Sequence, residues 1–194
     1  MTEQALIERL CRLLPRSPEQ INQPFEADAE ILRFGDGHLL FSTDEFSDED
    51  CFLMQDARAL GHNIACAAMS DLLASGGHPR FYAHSLTVDA RFTEAYLKRF
   101  YEGVAQVLEQ AGAHFIGGDF GRAEAWRCTA SVIGAAARPV LRSGARAGDH
   151  LYITGPVGGG NVQAACRLYK LPAARLIAPD FTLRLQALGD IEAH

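Results

Sequence analysis

Apolar and polar positions follow two different periods along this chain, and the switches between them mark out the elements. Residues 2–14, TEQALIERLCRLL, repeat apolar side chains every three or four positions with charges between them. That spacing predicts an amphipathic helix with Thr2 at its N-cap. The stretch RSPEQINQP breaks the pattern and reads as a linker. DAEILRF and HLLFSTD flank the turn signal GDG and predict two strands joined tightly. After the acidic loop SDED, residues 56–75 are apolar nearly all round, as in an enclosed helix, and stop at Gly76, Gly77 and Pro79.

RFYAHSLTV predicts a further strand. FTEAYLKRFYEGVAQVLEQAG is a strongly two-sided helix ended by Gly112. AHFIGGD, WRCTASVIGAA and HLYITG read as strands, RSGARAGD as a loop, and GGGNVQAACRLY as the start of another helix. A short helical stretch, PDFTLRLQALGDIEAH, closes the chain. Strands and helices alternate irregularly, with hairpins among them. The expectation is an α+β fold with a mixed or antiparallel sheet packed by helices.

Composition narrows the classes. The 194 residues are 48% hydrophobic and 22% charged, with a formal net charge of −6. This is globular material with enough apolar surface for a core. The absence of a basic block argues against nucleic acid as a partner. No apolar run approaches the ~18 residues that a membrane-spanning helix requires. The five cysteines are scattered and form no CxxC, which argues against a zinc site or disulfide framework and points to the cytoplasm.

The acids change the picture most. On a helical wheel Leu60, Ile64, Ala67 and Ala68 share one side, and Asp71 falls among them. A carboxylate in such a stripe needs a partner. A buried capping or salt-bridge acid is the plain reading, and a metal ligand is the other. Asp44 closes the strand HLLFSTD just after Ser42 and Thr43, Asp119 closes AHFIGGD, and Asp28 opens the first strand. A single strand-end aspartate is usually a turn former. Several of them at the ends of buried elements, without lysine in the same segments, make an oxygen-only donor set suited to Mg²⁺ or Ca²⁺. A divalent cation would also let an acidic pocket accept a phosphate. Gly117 and Gly118 would then let the backbone come close to that anion.

ITGPVGGGN can present helix N-terminal amides to an anion, though it is neither a GK[ST] loop nor a GxGxxG fingerprint, and an ordinary glycine-rich turn fits it equally. Arg122 and Arg142 can supply positive charge. No GxSxG, HExxH or Cys/His pairing signals a covalent nucleophile.

LLFSTD, NIACAAMSDLLASGGHP, FIGGDFGR and RSGARAGDHLYITG occur in the order and rough spacing of the N-terminal half of the AIR synthase-like (PurM-like) superfamily, which the chain resembles over roughly residues 25–170. Within that superfamily GGD followed by Arg, and RSGAR-GD-YITG, are most similar to the thiamine-monophosphate kinase pattern. The resemblance implies an ATP- and Mg²⁺-dependent phosphotransferase whose N-terminal domain adds strands to a barrel closed across a two-fold homodimer.

It implies metal-holding roles for Asp44, Asp71 and Asp119, with Asp28 beside them. Thr43 would stand at the metal or phosphate, Gly117 and Gly118 would line the phosphates, and Arg142 would contact one. Asp71 and Asp119 would be the catalytic acids. The partners implied are ATP and a small phosphorylated or phosphate-accepting metabolite. The expected division is an N-terminal helix and linker (1–24), an ATP-binding domain (25–155), and the first part of a C-terminal domain (156–194).

Two departures bear on the acceptor. EADA stands where the kinase pattern has Gly-Asp-Asp-Ala, so Ala27 replaces one acid, and Cys51 stands where the pattern has His. An AIR synthase-type ligase or related maturation factor, and a non-catalytic nucleotide-binding dimerisation module, are the alternatives.

Overall fold

The computed structural model describes residues 2–50 and 56–153. The expected strand 150–155 carries no regular structure over residues 150–153, and its last two residues lie outside the described part. The predicted helices beyond it, Cys51 and Cys166 also lie outside, as does the segment 156–194.

Among the described residues eight elements follow in order: α1 (Glu3–Cys11), β1 (Glu30–Phe34), β2 (Gly37–Ser47), α2 (Ala57–Ala74), β3 (His78–Val88), α3 (Glu94–Ala111), β4 (His114–Arg122) and β5 (Arg127–Ala136). The sheet has five strands in the order β1-β2-β5-β3-β4. All pairs are antiparallel except β3 with β4, which run parallel through the α3 crossover. The α+β expectation therefore holds.

Period two sorts each strand onto two faces. On β5, Cys128, Ala130, Val132 and Ala136 are buried under the helices, while the residues between them face the other way. On β3 the buried set is Tyr82, His84, Leu86 and Val88. These meet Leu60, Ile64, Met69 and Leu72 from α2 and Phe100, Val104 and Val107 from α3 in one core between sheet and helices. The opposite face bears Phe81, Ile133, Phe41 and Thr43. Phe81 remains 44% exposed, so no described element covers that side.

Thr2 caps α1 as the sequence signalled, and α2 and α3 carry caps of the same kind. Thr2, Asp56 and Thr93 each accept a bond from a first-turn amide of the helix that follows. Helix α1 has no buried residue and stands outside the core.

Helices α2 and α3 meet at two small residues. A Cβ at Gly61 would overlap the Phe100 carbonyl, and one at Gly103 would overlap the Arg58 carbonyl. The two backbones thus touch directly, which only glycine allows.

Two buried polar side chains, His84 and Asp89, have partners. His84 Nε2 lies 2.9 Å from the Tyr101 hydroxyl, and burial pulls the imidazole down to about 4, so it is neutral at ordinary pH. Asp89 is gripped by Arg91, which also binds Asp48, and Asp48 accepts from Trp126 Nε1 at 2.9 Å.

Candidate functional site

Three of the four flagged acids converge where the C-terminal half of α2 crosses β2. Leu40, Ser42, Asp44 and Phe46 share the helix-facing side of β2. Asp71, one turn before the end of α2, accepts a bond from Ser42 Oγ at 3.0 Å. Ser75, the α2 C-cap, accepts from the Ala29 amide at 3.0 Å and so holds the entry to β1 against the same helix end. That contact delivers Asp28, whose carboxylate is bonded by Arg142. Arg142 is fixed in turn by its backbone amide on Glu26 O at 2.7 Å and by Nη1 on Phe25 O at 3.4 Å.

The electrostatics confirm the convergence. Burial, and then the neighbouring Asp71, push the Asp44 carboxyl from 3.8 up to about 6. Asp71 is also raised, chiefly by burial and further by Asp28, against the lowering effects of the Ser42 bond and of Arg142. Two half-buried carboxyls raised together are short of positive charge. Among the described residues the cation that acts on Asp71, Arg142, is bonded to Asp28.

The other expected site residues stand elsewhere. Thr43 points to the open face, where its hydroxyl lies 3.0 Å from Ser131 Oγ. Asp119 is on β4, opposite Ser85, which is opposite Thr129 on β5 and through it Glu45 on β2. The row containing Asp44 runs instead through Ala130 and His84 to Gly118. Asp119 therefore lies one row away from Asp44, on the other face and about 14 Å across three strand spacings. Gly118 has an immediate structural reason, since a Cβ there would overlap the His84 carbonyl. Gly117 has φ +127° with open space around it. Among the described residues, no three His, Cys, Asp or Glu side chains gather closely enough to hold a metal by themselves.

Sequence reading passed over two partners. Ser42 was legible from strand period alone, since it alternates with Asp44 toward α2. The other is Cys66, whose Sγ lies 3.6 Å from His62 Nδ1 at helical i, i+4 spacing. Both are buried, and burial lowers the His62 pKa, which disfavours an imidazolium beside a thiolate.

With this geometry in hand, relatives can be compared. The family described as AIR synthase related protein, N-terminal domain, matches residues 26–136, and the chain belongs to that family. A thiamine-monophosphate kinase of Aquifex aeolicus (strain VF5) is 31% identical over 121 residues, 62% of this chain and 40% of the relative. A selenide, water dikinase of Nitratidesulfovibrio vulgaris (strain DSM 19637 / Miyazaki F) is 28% identical over 169 residues, 83% of this chain and 47% of the relative. The crystal structure of thiamine-monophosphate kinase from Stenotrophomonas maltophilia K279a superposes with a TM-score of 0.64 at 26% identity, covering 97% of this chain and 61% of that one. The chain thus spans about half the length of the relatives it matches. No helix among the described residues is long and apolar enough to cross a membrane.

Proposed function

We propose that this chain forms the nucleotide-binding part of an ATP- and Mg²⁺-dependent phosphotransferase, with thiamine monophosphate as acceptor and thiamine diphosphate as product. The observation that carries the reading is the half-buried Asp44–Asp71 pair, raised in pKa and, among the described residues, without a cation bonded to either acid. Magnesium is commonly held by one or two carboxylates plus substrate phosphates and water, so a pair suffices where a closed protein cage does not form. Asp44 and Asp71 would hold the ion, with Ser42 orienting Asp71 and Asp28 completing the negative field. The ion, when bound, would neutralise charge on the nucleotide phosphates.

Arg142 would hold Asp28 in place and contact a phosphate. Thr43, Gly117 and Asp119 would act from the open face, and Gly118 would line the phosphates through its backbone. A second copy of the chain covering that face would bury Phe81, Phe41 and Ile133, as the homodimer expectation requires. The remainder of the site would come from a C-terminal domain beginning near residue 156, after an ATP-binding domain over 25–155. A cytoplasmic location goes with this reading.

The names of the relatives support kinase chemistry. The longer selenide, water dikinase match favours a second reading, in which the same nucleotide site serves a different small acceptor. Calorimetry with Mg²⁺ and a non-hydrolysable ATP analogue tests the shared part. Asp71→Asn and Asp119→Asn should each stay folded and lose nucleotide affinity. Unchanged affinity in both would remove the proposal. ATP turnover with each candidate acceptor separates the two readings, and binding without turnover would favour a nucleotide-sensing module.

A further inference from the structure

From Phe115 to Asp119 is four residues, an even number, so in a regular strand both side chains would lie on one face. Phe115 faces the helices, with its ring 5.3 Å from that of His84 and 6.4 Å from that of Tyr101 on α3. An unbroken β4 paired from Tyr82–Phe115 onward would set Asp119 opposite Leu86, which is fully buried in the core. Instead the pairing jumps, with Tyr82 opposite Phe115 and Ala83 opposite Gly117. Ile116 is the surplus residue and is left 57% exposed. One inserted residue exchanges the faces of everything after it. Asp119 consequently pairs with Ser85 on the open side, and Phe120 takes the place opposite Leu86.

The bulge turns on Gly117, whose φ of +127° is a conformation that a β-branched residue does not adopt and whose missing Cβ would meet nothing within 4 Å. Space is not what demands glycine here; the backbone angle is. We infer that Gly117 is a positioning residue, the pivot of a one-residue bulge that carries Asp119 from the core face of the sheet to its open face. The first member of the glycine pair thereby sets which way the acid points. This deepens the function proposed above and rests on it only for the role of Asp119, not for its placement.

A deletion separates placement from role. Without Ile116, a regular β4 has three residues from Phe115 to Asp119 and keeps the acid on the open face with no bulge. In the full chain Gly117→Val forces either a strained bulge or a regular strand that turns Asp119 inward. In the chain lacking Ile116 the same valine is an ordinary strand residue. The expected result, by calorimetry with Mg²⁺ and a non-hydrolysable ATP analogue, is at least about a tenfold loss of affinity for Gly117→Val, in line with loss of a charged contact. The variant combining Gly117→Val with deletion of Ile116 should recover to within about threefold of the parent, less than a typical non-additivity.

Thermal melting supplies a readout that needs no ligand. Gly117→Ala should lower Tm by about 5 °C or more in the full chain. It should cost little where Ile116 is absent. The alanine variant also covers the case in which valine prevents folding. Equal costs of alanine in both backgrounds would overturn the inference, as would valine that leaves both affinity and Tm intact. A parent chain that binds no nucleotide would defeat the proposed function alone, because the melting comparison still decides where Gly117 directs the strand.

Discussion

Replacing Asp44 by asparagine should make the ligand-free protein more stable at neutral pH while weakening the Mg²⁺ binding proposed above. The carboxyl rises from 3.8 to about 6 on folding. A group raised in the folded state binds its proton more tightly there than in the unfolded chain. Its contribution is present below the unfolded pKa, is lost as pH climbs through about 6, and does not return above it. At ~1.4 kcal/mol per pKa unit the full penalty at pH 7 is about 3 kcal/mol. The site is only half buried, and solvent screening reduces the figure to about 1–2 kcal/mol.

Asparagine keeps the shape and removes the titration. At ~2–4 °C per kcal/mol, melts at pH 7.5 should place Asp44→Asn about 2–8 °C above the parent. Near pH 4 the two should coincide. Saturating Mg²⁺ should raise the parent's Tm at pH 7.5 and leave the variant nearly unmoved, since only the parent gains by neutralising the pair. The reasoning is refuted if the variant melts no higher than the parent at pH 7.5 and the parent's melting temperature is flat between pH 4 and 7.5.

Three further outcomes are expected. Gly103→Ala should destabilise by at least about 1–3 kcal/mol, measured by urea unfolding, because its methyl group would overlap the Arg58 carbonyl and pry α3 from α2. Ser42→Ala should raise the Asp71 pKa further by removing a bond that lowers it, visible as an NMR titration of the Asp71 carboxyl moved to higher pH. Arg142→Ala should leave Asp28 without its ion pair and raise Asp71, so that nucleotide affinity falls more steeply with decreasing pH than in the parent, read by calorimetry at pH 6 and 8.

Much of the frame was readable before any coordinates. Helix α2 announced itself by a long apolar run with a glycine–proline stop, α3 by its period and Gly112, and the hairpin β1–β2 by its GDG turn. The placement of the acids was readable only in part. Asp71 stood out because a carboxylate in an apolar stripe needs an explanation, and its bond to Ser42 supplies one. Thr43 and Asp44 are neighbours in sequence, yet strand alternation sends them to opposite faces, and a reading by motif adjacency joins what the pleat separates. Asp119 was harder. Its face depends on a bulge, and a bulge is a tertiary decision between β3 and β4 that local composition does not contain. Gly118 shows the same limit from another side, since the backbone that excludes its Cβ belongs to His84, 34 positions earlier in the chain.

The place of β5 in the sheet has a kinetic consequence. Among the described residues it is the last strand in sequence but lies in the middle, joining β2 to β3. Thr43 meets Ser131 across a separation of 88 residues. Two local units, the β1–β2 hairpin and the β3-α3-β4 crossover, can form early, but neither has its central neighbour until β5 arrives. Loop closure over such distances is slow. On the ribosome, both units must therefore wait with open edges until residue 136 has emerged, and a chaperone that shields strand edges should speed maturation more than one that shields helices.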